Sequence, residues 1–360
     1  MAVTRRGSKQ RCLVTGGSGF LGRHLVDQLV ASGKFEVTVF DIRKPEDATE
    51  GAVYVVGDLR KQGEVDKACA GMDVVFHCAT AALTASNAHN KALMTAVNVD
   101  GTRHVVEACV RGRVPRLVYT SSASVVFEGR DLKGVDETIP YAAKPPDYYT
   151  YTKIEGERIV LAANGRGGLA TCALRPSGIF GEHDTLLVPT TVAKARQGKM
   201  KYIVGSGDNL MDWTYAGNVA QAHIQAAEAL SLTSPLAGQA YFVTNNEDRT
   251  FWGFMGDLCE GLGYGRPRIR LPFWLVYLIA LVMQYVITPL LRPFKEIQTD
   301  FTPSRMLVAT SHRKFSVAKA QRDFGYEPRV SLQEGLERTL EHFQHLRADA
   351  GSGGAKSKAA

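Results

Sequence analysis

Apolar positions recur along this chain in two spacings, short continuous runs and one-sided helical stripes, and the two alternate. RCLVTG is an apolar run that predicts a β-strand; after a glycine-rich turn, GRHLVDQLVAS places its apolar residues on one face of an amphipathic helix. FEVTVFDI is a second strand closing on Asp41, VYVVGDL a third and MDVVFHCAT a fourth. Met94 to Arg111 reads as a helix with NVDGT near its start, RLVYTSSASV as a fifth strand, Tyr149 to Ala163 as a helix, and LATCALRPSGIFG as a sixth strand running into a loop. Strands alternating with helices predict an α/β fold on a doubly wound parallel sheet, with ligand groups at the carboxyl ends of the strands.

The glycine-rich turn TGGSGFLG lies between the first strand and its helix, where Gly16, Gly19 and Gly22 allow a tight turn, close approach of a pyrophosphate and packing of helix on strand. The helix N-terminus behind it offers amide donors to phosphate. Asp41 is placed to accept from adenosine ribose hydroxyls and to repel a 2′-phosphate, which favours NAD over NADP; Arg43, two residues on, works against that preference. Ser18, Phe20 and Leu21 in the turn, and Cys78, Ala79 and Thr80 after the fourth strand, are assigned to the same cofactor surface. Asp58 and Leu59 either flank the adenine or form a turn at a strand end.

Tyr149 and Lys153 stand in DYYTYTK, one helical turn apart on one face, where a cation lowers a phenol's pKa and makes it a base near neutral pH. Upstream lies the pair Ser121 and Ser122. The order of glycine loop, serine pair and Tyr-x-x-x-Lys is that of a hydride-transfer site.

The 360 residues, 45% hydrophobic and 22% charged, suffice for a nucleotide domain and a second lobe. The formal charge of +7 is scattered except at the ends, too diffuse for nucleic acid but suited to an anionic membrane face. Cys12, Cys69, Cys78, Cys109, Cys172 and Cys259 form no C-x-x-C pair and read as reduced thiols of a cytosol-facing protein, with no signal peptide before the first strand. The nine histidines form no metal-ligand spacing, and His77 and His183 read as a strand and a loop residue.

TGGSGFLG, Asp41, GDLR, HCAT, NVDGT, TSSAS, YYTYTK and LRPSGIFG stand in the order of an extended short-chain dehydrogenase, a Rossmann fold with a smaller C-terminal substrate lobe, and this resemblance covers nearly the whole chain. SASVVFEG, DYYTYTKIEGER, GIFGEHDTLLVP, GKMKYIVGSGDNLMDWTY, LPFWLVYLIALVMQYV and FTPSRM resemble the 3β-hydroxysteroid dehydrogenase branch, and within it the decarboxylating dehydrogenases of 4α-carboxysterols. Glu182-His183 departs from that branch, where Pro-Arg is common after IFG.

The resemblance implies that Tyr149 is the base, that Lys153 lowers its pKa and bonds the nicotinamide ribose, and that Ser122, directly before Ala123-Ser124-Val125, holds the substrate oxygen in preference to Ser121. It further implies that Asn98 orders the lysine-bearing helix through water, and that Pro176 and Ser177 lie near the nicotinamide carboxamide. The implied activity is NAD-dependent oxidation of a sterol 3β-hydroxyl to the 3-ketone with loss of a 4α-carboxylate as CO2, in sterol C4 demethylation. Oxidation without decarboxylation, a UDP-sugar epimerase or dehydratase, and a non-catalytic NAD-binding scaffold are the alternatives. A homodimer and an association with other enzymes of sterol C4 demethylation stay open.

Leu271 to Leu291 is nearly free of polar side chains and approaches the ~20 residues of a membrane-spanning helix. Because SHRKFSVAKAQRDFGYEP beyond it reads as part of the substrate lobe, a shallow monotopic or hairpin insertion is expected rather than a single span, a buried helix pair being the alternative. The end KSKAA, with Lys356 and Lys358, resembles a K-x-K-x-x retrieval signal and points to the cytosolic face of the endoplasmic reticulum membrane. The predicted boundaries are a basic flexible tail at 1–10, the NAD-binding domain with the catalytic helix at 11–180, a substrate lobe over most of 181–345 with segments returning to the first domain, and a flexible tail at 346–360.

Overall fold

Cys12, Leu13 and Val14 are completely buried because their strand lies inside a sheet covered on both faces, which is why it reads as an unbroken apolar run and not as an alternation. The computed structural model describes residues 9–81, 90–291 and 302–348. In its first half, β1 (Gln10–Thr15), α1 (Phe20–Ala31), β2 (Phe35–Asp41), β3 (Ala52–Val56), α2 (Gln62–Cys69) and β4 (Val74–His77) follow one another. Then come α3 (Lys91–Met94), a π-helical turn (Thr95–Asp100), α4 (Gly101–Arg111), β5 (Arg116–Thr120), β6 (Leu132–Val135), α5 (Tyr148–Ala162) and β7 (Ala170–Pro176). The second half contains β8 (Ile179–Phe180), α6 (Leu187–Arg196), β9 (Tyr202–Val204), β10 (Thr214–Tyr215), α7 (Ala216–Ala229), β11 (Gln239–Val243), α8 (Phe251–Gly261) and β12 (Ile269–Leu271). It closes with α9 (Phe273–Val282), α10 (Thr288–Leu291), α11 (Pro303–Thr310), β13 (Arg313–Phe315), α12 (Ala318–Phe324) and α13 (Leu332–His342).

Seven strands form one parallel sheet in the order β11-β7-β5-β4-β1-β2-β3. The order reverses between β1 and β4, so a crevice opens at their carboxyl ends, the place where open α/β sheets bind ligands. On one face Leu25, Val26 and Leu29 of α1 pack with Ala220, Ala226 and Ala227 of α7, and on the other Val65 of α2 and Val105 and Val106 of α4 pack with Val160 of α5. Each fully buried branched side chain contributes about 1.5–3 kcal/mol. This is the expected doubly wound parallel sheet. Three members were not read from the pattern: α2, α7 and β11. The last two come from beyond residue 181 yet belong to the sheet layer, where Gln28 Nε2 donates to the Gly217 carbonyl at 2.7 Å and joins α1 to α7. The fifth strand stops at Thr120, five residues short of the expected end, because Ser122 caps a tight turn at Ala123–Val126.

The second lobe has its own core, in which Trp213 stacks on Phe254 with ring centroids 4.1 Å apart. Asp212, buried here, accepts from Lys314 Nζ at 2.5 Å and the Phe315 amide at 2.7 Å, fastening β13 to the lobe.

Phe273–Leu290 is, among the described residues, one helix long and apolar enough to cross a membrane by length and composition. Val276 and Ala280 pack against Val204 and Met306, while Trp274, Leu278, Tyr285 and Leu290 face outward with 67%, 51%, 67% and 69% exposure. A buried helix pair is therefore not what the segment forms. On both sides of it the chain joins the same body: β12 pairs with β9, and β13 with β6. Phe301 of FTPSRM, Lys356, Lys358 and most of both tails lie outside the described residues.

Candidate active site

After β1 the chain turns at Gly16, whose φ of +74° favours glycine and where a Cβ would come within 2.5 Å of Ala79 Cα. At Gly22 a Cβ would sit 2.1 Å from the Gly16 carbonyl oxygen, so α1 can pack down on the loop only with hydrogen there. Gly19 is the N-cap of α1, with no side chain capping it, and the first-turn amides including Phe20, Leu21 and Gly22 are left as donors facing the loop. Ser18 donates its amide to Asp41 Oδ2 at 3.0 Å and its hydroxyl to the Arg43 carbonyl at 2.8 Å, tying the loop to the end of β2. Burial pushes the Asp41 carboxyl up, against backbone donors from Ser18 and Arg43 that pull it down. A cradle that any Cβ would fill, an uncapped helix end and a carboxylate closing the next strand together fit a dinucleotide.

Asp58 and Leu59 lie in the turn after β3, which the Lys61 amide closes by donating to the Asp58 carbonyl at 2.9 Å. Arg60 Nε lies 2.9 Å from Asp58 Oδ2 and holds that carboxyl below its ordinary range. Leu59 is buried in the core between α2 and α4, and its carbonyl pairs with His104 Nδ1 at 2.7 Å.

Cys78, Ala79 and Thr80 line the end of β4, where the Cys78 amide donates to the Thr15 carbonyl at 3.1 Å. Thr80 Oγ1 and the Ala81 amide both donate to Asn98 Oδ1, at 3.1 and 2.7 Å. Asn98 is buried inside the π-helical turn and donates directly to Thr152 Oγ1 at 3.0 Å. It therefore reaches the lysine-bearing helix by a direct bond.

Asp147 caps α5 by accepting from the Thr150 amide at 2.8 Å, which sets Tyr149 in the first turn and Lys153 one turn on. Lys153 is buried; its Nζ donates to the Thr120 carbonyl at 2.5 Å and lies 4.4 Å from the centre of the Tyr119 ring. Desolvation lowers its pKa to about 7, opposed by Glu157 and Cys78. Burial, with Asp147 adding to it, pushes the Tyr149 phenol up. Desolvation is the largest influence on both groups, and one of the three ammonium N–H groups of Lys153 is taken by the Thr120 carbonyl.

Ser122 Oγ accepts from Ser124, from the amide at 3.2 Å and the hydroxyl at 2.9 Å, so its own O–H is not used in either bond. Ser121 turns the other way and donates to Glu157. Pro176 ends β7 opposite Val243, and Ser177 accepts at its carbonyl from Thr214 Oγ1 at 2.5 Å. His77 is a buried strand residue between Thr15 Oγ1 and Thr102 Oγ1, driven to about 3 by burial and by Lys153.

Glu157, Arg175 and Tyr141 were not singled out from the sequence. Glu157 is completely buried, accepts from Tyr141 OH at 2.8 Å, and is paired with Arg175 Nη2 at 2.6 Å. A carboxylate on the apolar face of a helix was the available signal.

Residues 13–273 match the 3-beta hydroxysteroid dehydrogenase/isomerase family. The mouse protein called sterol-4-alpha-carboxylate 3-dehydrogenase, decarboxylating, is 44% identical over 94% of this chain and 92% of its own length. The human protein of that name is 43% identical over 94% and 89%. The Arabidopsis thaliana 3beta-hydroxysteroid-dehydrogenase/decarboxylase isoform 1 is 44% identical over 97% and 82%. Among solved structures, the UDP-glucose 4-epimerase of Thermotoga maritima superposes with a TM-score of 0.72 at 21% identity, over 93% of this chain and 99% of its own. A dTDP-glucose 4,6-dehydratase of Streptomyces venezuelae does so with a TM-score of 0.72 at 23% identity, over 93% and 97%. At those identities the likeness to solved structures is one of fold. With the glycine loop, Tyr149, Lys153 and Ser122 set at the carboxyl ends of one parallel sheet, and relatives matched almost end to end, the chain belongs to the 3-beta hydroxysteroid dehydrogenase/isomerase family.

Proposed function

We propose that this protein oxidises the 3β-hydroxyl of a 4α-carboxysterol to the 3-ketone with NAD, losing CO2, at the cytosolic face of the endoplasmic reticulum membrane. The observation that carries the reaction is that the buried Lys153, one turn along α5 from Tyr149, bonds the carbonyl of Thr120 at the end of β5, two residues before Ser122 and on the same sheet end as the glycine loop. The relatives' names support the substrate class.

The loop from Gly16 to Gly22 would hold the pyrophosphate, Asp41 the adenosine ribose and Lys153 the nicotinamide ribose. Bound NAD supplies the acceptor for the hydride on C3. Ser122 donates to the C3 oxygen and holds it in line with Tyr149, which takes the hydroxyl proton. That phenol must be ionised against the burial that raises its pKa, and Lys153, on the same helix face and with two N–H groups left after its bond to the Thr120 carbonyl, is the cation placed to favour the phenolate. When C3 is a ketone, the C4 carboxylate is β to a carbonyl. The electrons of the C4–carboxyl bond pass into the C3 carbonyl, CO2 departs, and a proton returned to C4 completes the 3-ketosteroid. Ser122, still at that oxygen, supports the negative charge that forms there.

The membrane reading rests on the outward apolar face of Phe273–Leu290, with Val276 and Ala280 anchored to the lobe. A shallow insertion keeps both flanks on one side and brings the substrate lobe to lipid in which a sterol is dissolved.

The test is turnover of one defined 4α-carboxysterol with NADH and CO2 measured together. One CO2 is expected for each NADH, and Tyr149→Phe should lower kcat by at least ~100-fold with NAD affinity kept. NADH without CO2 would reduce the reading to a plain 3β-hydroxysteroid dehydrogenase, and near-native turnover by the variant would refute the role of Tyr149.

A further inference from the structure

Tyr149, Lys153 and Glu157 follow one another at four-residue intervals along α5, so the three side chains form a row on the face turned into the sheet. The third has no place in the reaction described above, yet it is the most heavily engaged. Glu157 is 0% exposed, and four groups from three separate segments close on its carboxylate. Ser121 donates its hydroxyl from the end of β5, Tyr141 OH donates at 2.8 Å from the loop before α5, and Arg175 of β7 donates through Nε at 3.1 Å and Nη2 at 2.6 Å. The pair with Arg175 is buried on both sides, its side chains 5% and 0% exposed.

Such a pair is weak evidence for stability, because an apolar pair of the same volume often serves as well. Its position is the informative part. Ser121 is also tied through its amide to the Leu174 carbonyl at 2.7 Å, so Glu157 and β7 together hold the residue from which the chain turns out to present Ser122. One turn up the helix is the Lys153 ammonium, whose surroundings are otherwise poor in negative charge. From β4 it meets His77 and Cys78, both held neutral by burial, and from β5 the Tyr119 ring and the Thr120 carbonyl. Behind Thr120 stands His223 of α7, also held neutral by burial, bonded to Thr120 Oγ1 at 2.7 Å. On α5 itself Tyr149 is a protonated phenol. Glu157, one helical turn on and buried on the same face of α5, supplies the anionic charge that works against the desolvation of Lys153.

We propose that Glu157 is a positioning residue of the hydride-transfer site, which fixes Ser121, and through it the turn bearing Ser122, and keeps the buried Lys153 ammonium charged. Arg175 and Tyr141 hold the carboxylate for this task. The inference rests on the reading of Tyr149, Lys153 and Ser122 as the reacting constellation, and it adds a fourth residue that never touches substrate or cofactor.

Its test separates charge from support. Glu157→Gln alone strands the Arg175 guanidinium, so the informative chain is the double variant Glu157→Gln with Arg175→Met, which removes the ion pair as a unit. Lys153 is followed in the cofactor-free protein by 13Cε-lysine NMR, its resonance assigned by its loss in Lys153→Met. Its titration midpoint is expected about one pH unit lower in the double variant than in the native chain, and the high-pH limb of kcat should move down by a similar amount. Glu157→Asp with Arg175 intact keeps the carboxylate and should leave the midpoint close to its native value. A folded double variant with an unmoved Lys153 titration overturns the proposal. If the native chain fails to oxidise a 4α-carboxysterol, the assignment of substrate falls, while the NMR titration still decides the role of Glu157.

Discussion

Lys153 should be a residue the fold holds at a cost. Its ammonium is pushed from 10.5 to about 7 chiefly by desolvation, so between those values the unfolded chain binds a proton that the native chain has shed. Stability then rises with pH across that window, and the cost is full below about pH 7. At ~1.4 kcal/mol for each unit, the native chain gives up about 4 kcal/mol at pH 7 and about 1 kcal/mol at pH 9.5. Lys153→Met removes the ammonium and leaves an apolar stem in its place. The Thr120 carbonyl loses its donor, which costs about 1 kcal/mol at either pH and cancels between them. Relative to the native chain, the variant is expected to be more stable by about 3 kcal/mol at pH 7 and about equal at pH 9.5. Urea unfolding of both cofactor-free chains in mild detergent, followed by tryptophan fluorescence at the two pH values, reads the difference directly. Lys153 also acts on His77 and Cys78, but burial holds both neutral in either folded chain at these two pH values, and the remaining titrating groups are common to both. An equal stability difference at pH 7 and pH 9.5 would refute the claim that the ammonium is desolvated, and with it the need for Glu157 to keep it charged.

Two further outcomes follow from the cofactor loop and the apolar helix. Asp41→Ala should narrow the preference for NAD over NADP, read as the ratio of kcat/KM for the two; a native chain that uses NADP better than NAD would show that Arg43 and not Asp41 sets the choice. Leu278→Asp combined with Tyr285→Asp, both on the outward face, should release the protein from anionic liposomes in a flotation assay, since each acid at lipid depth costs up to about 3 kcal/mol. A native chain that does not float, or a variant that still does, would remove the membrane claim.

The parts of this molecule that were legible in the sequence are those whose physics is local. A strand buried on both faces must be continuously apolar, and a loop that cannot admit a Cβ at Gly16 or Gly22 must carry glycine, so β1, the turn and α1 announce themselves in about twenty consecutive residues. α7 and β11 were harder because nothing in AGNVAQAHIQAAEA or QAYFV says which layer will receive them. Their place in the sheet depends on pairing with β7 and packing on α1, across most of a domain's length of chain.

The active site divides in the same way. Spacing places Tyr149 and Lys153 on one helix face, and that holds; the net shift of each group does not follow from spacing. It depends on how much water the fold leaves, and here β4 and β5 close over Lys153 so thoroughly that desolvation is the largest influence on both groups. A helix turn supplies proximity, but only tertiary packing supplies the dielectric in which proximity acts. Glu157 shows the complementary case. Its partners Ser121, Tyr141 and Arg175 lie in three segments that only the folded sheet brings together, yet a glutamate on the face of α5 that must be buried already demanded some partner. Asking what neutralises each such charge would have led from the helix to Arg175, and from there to a site larger than the tyrosine and lysine that mark it.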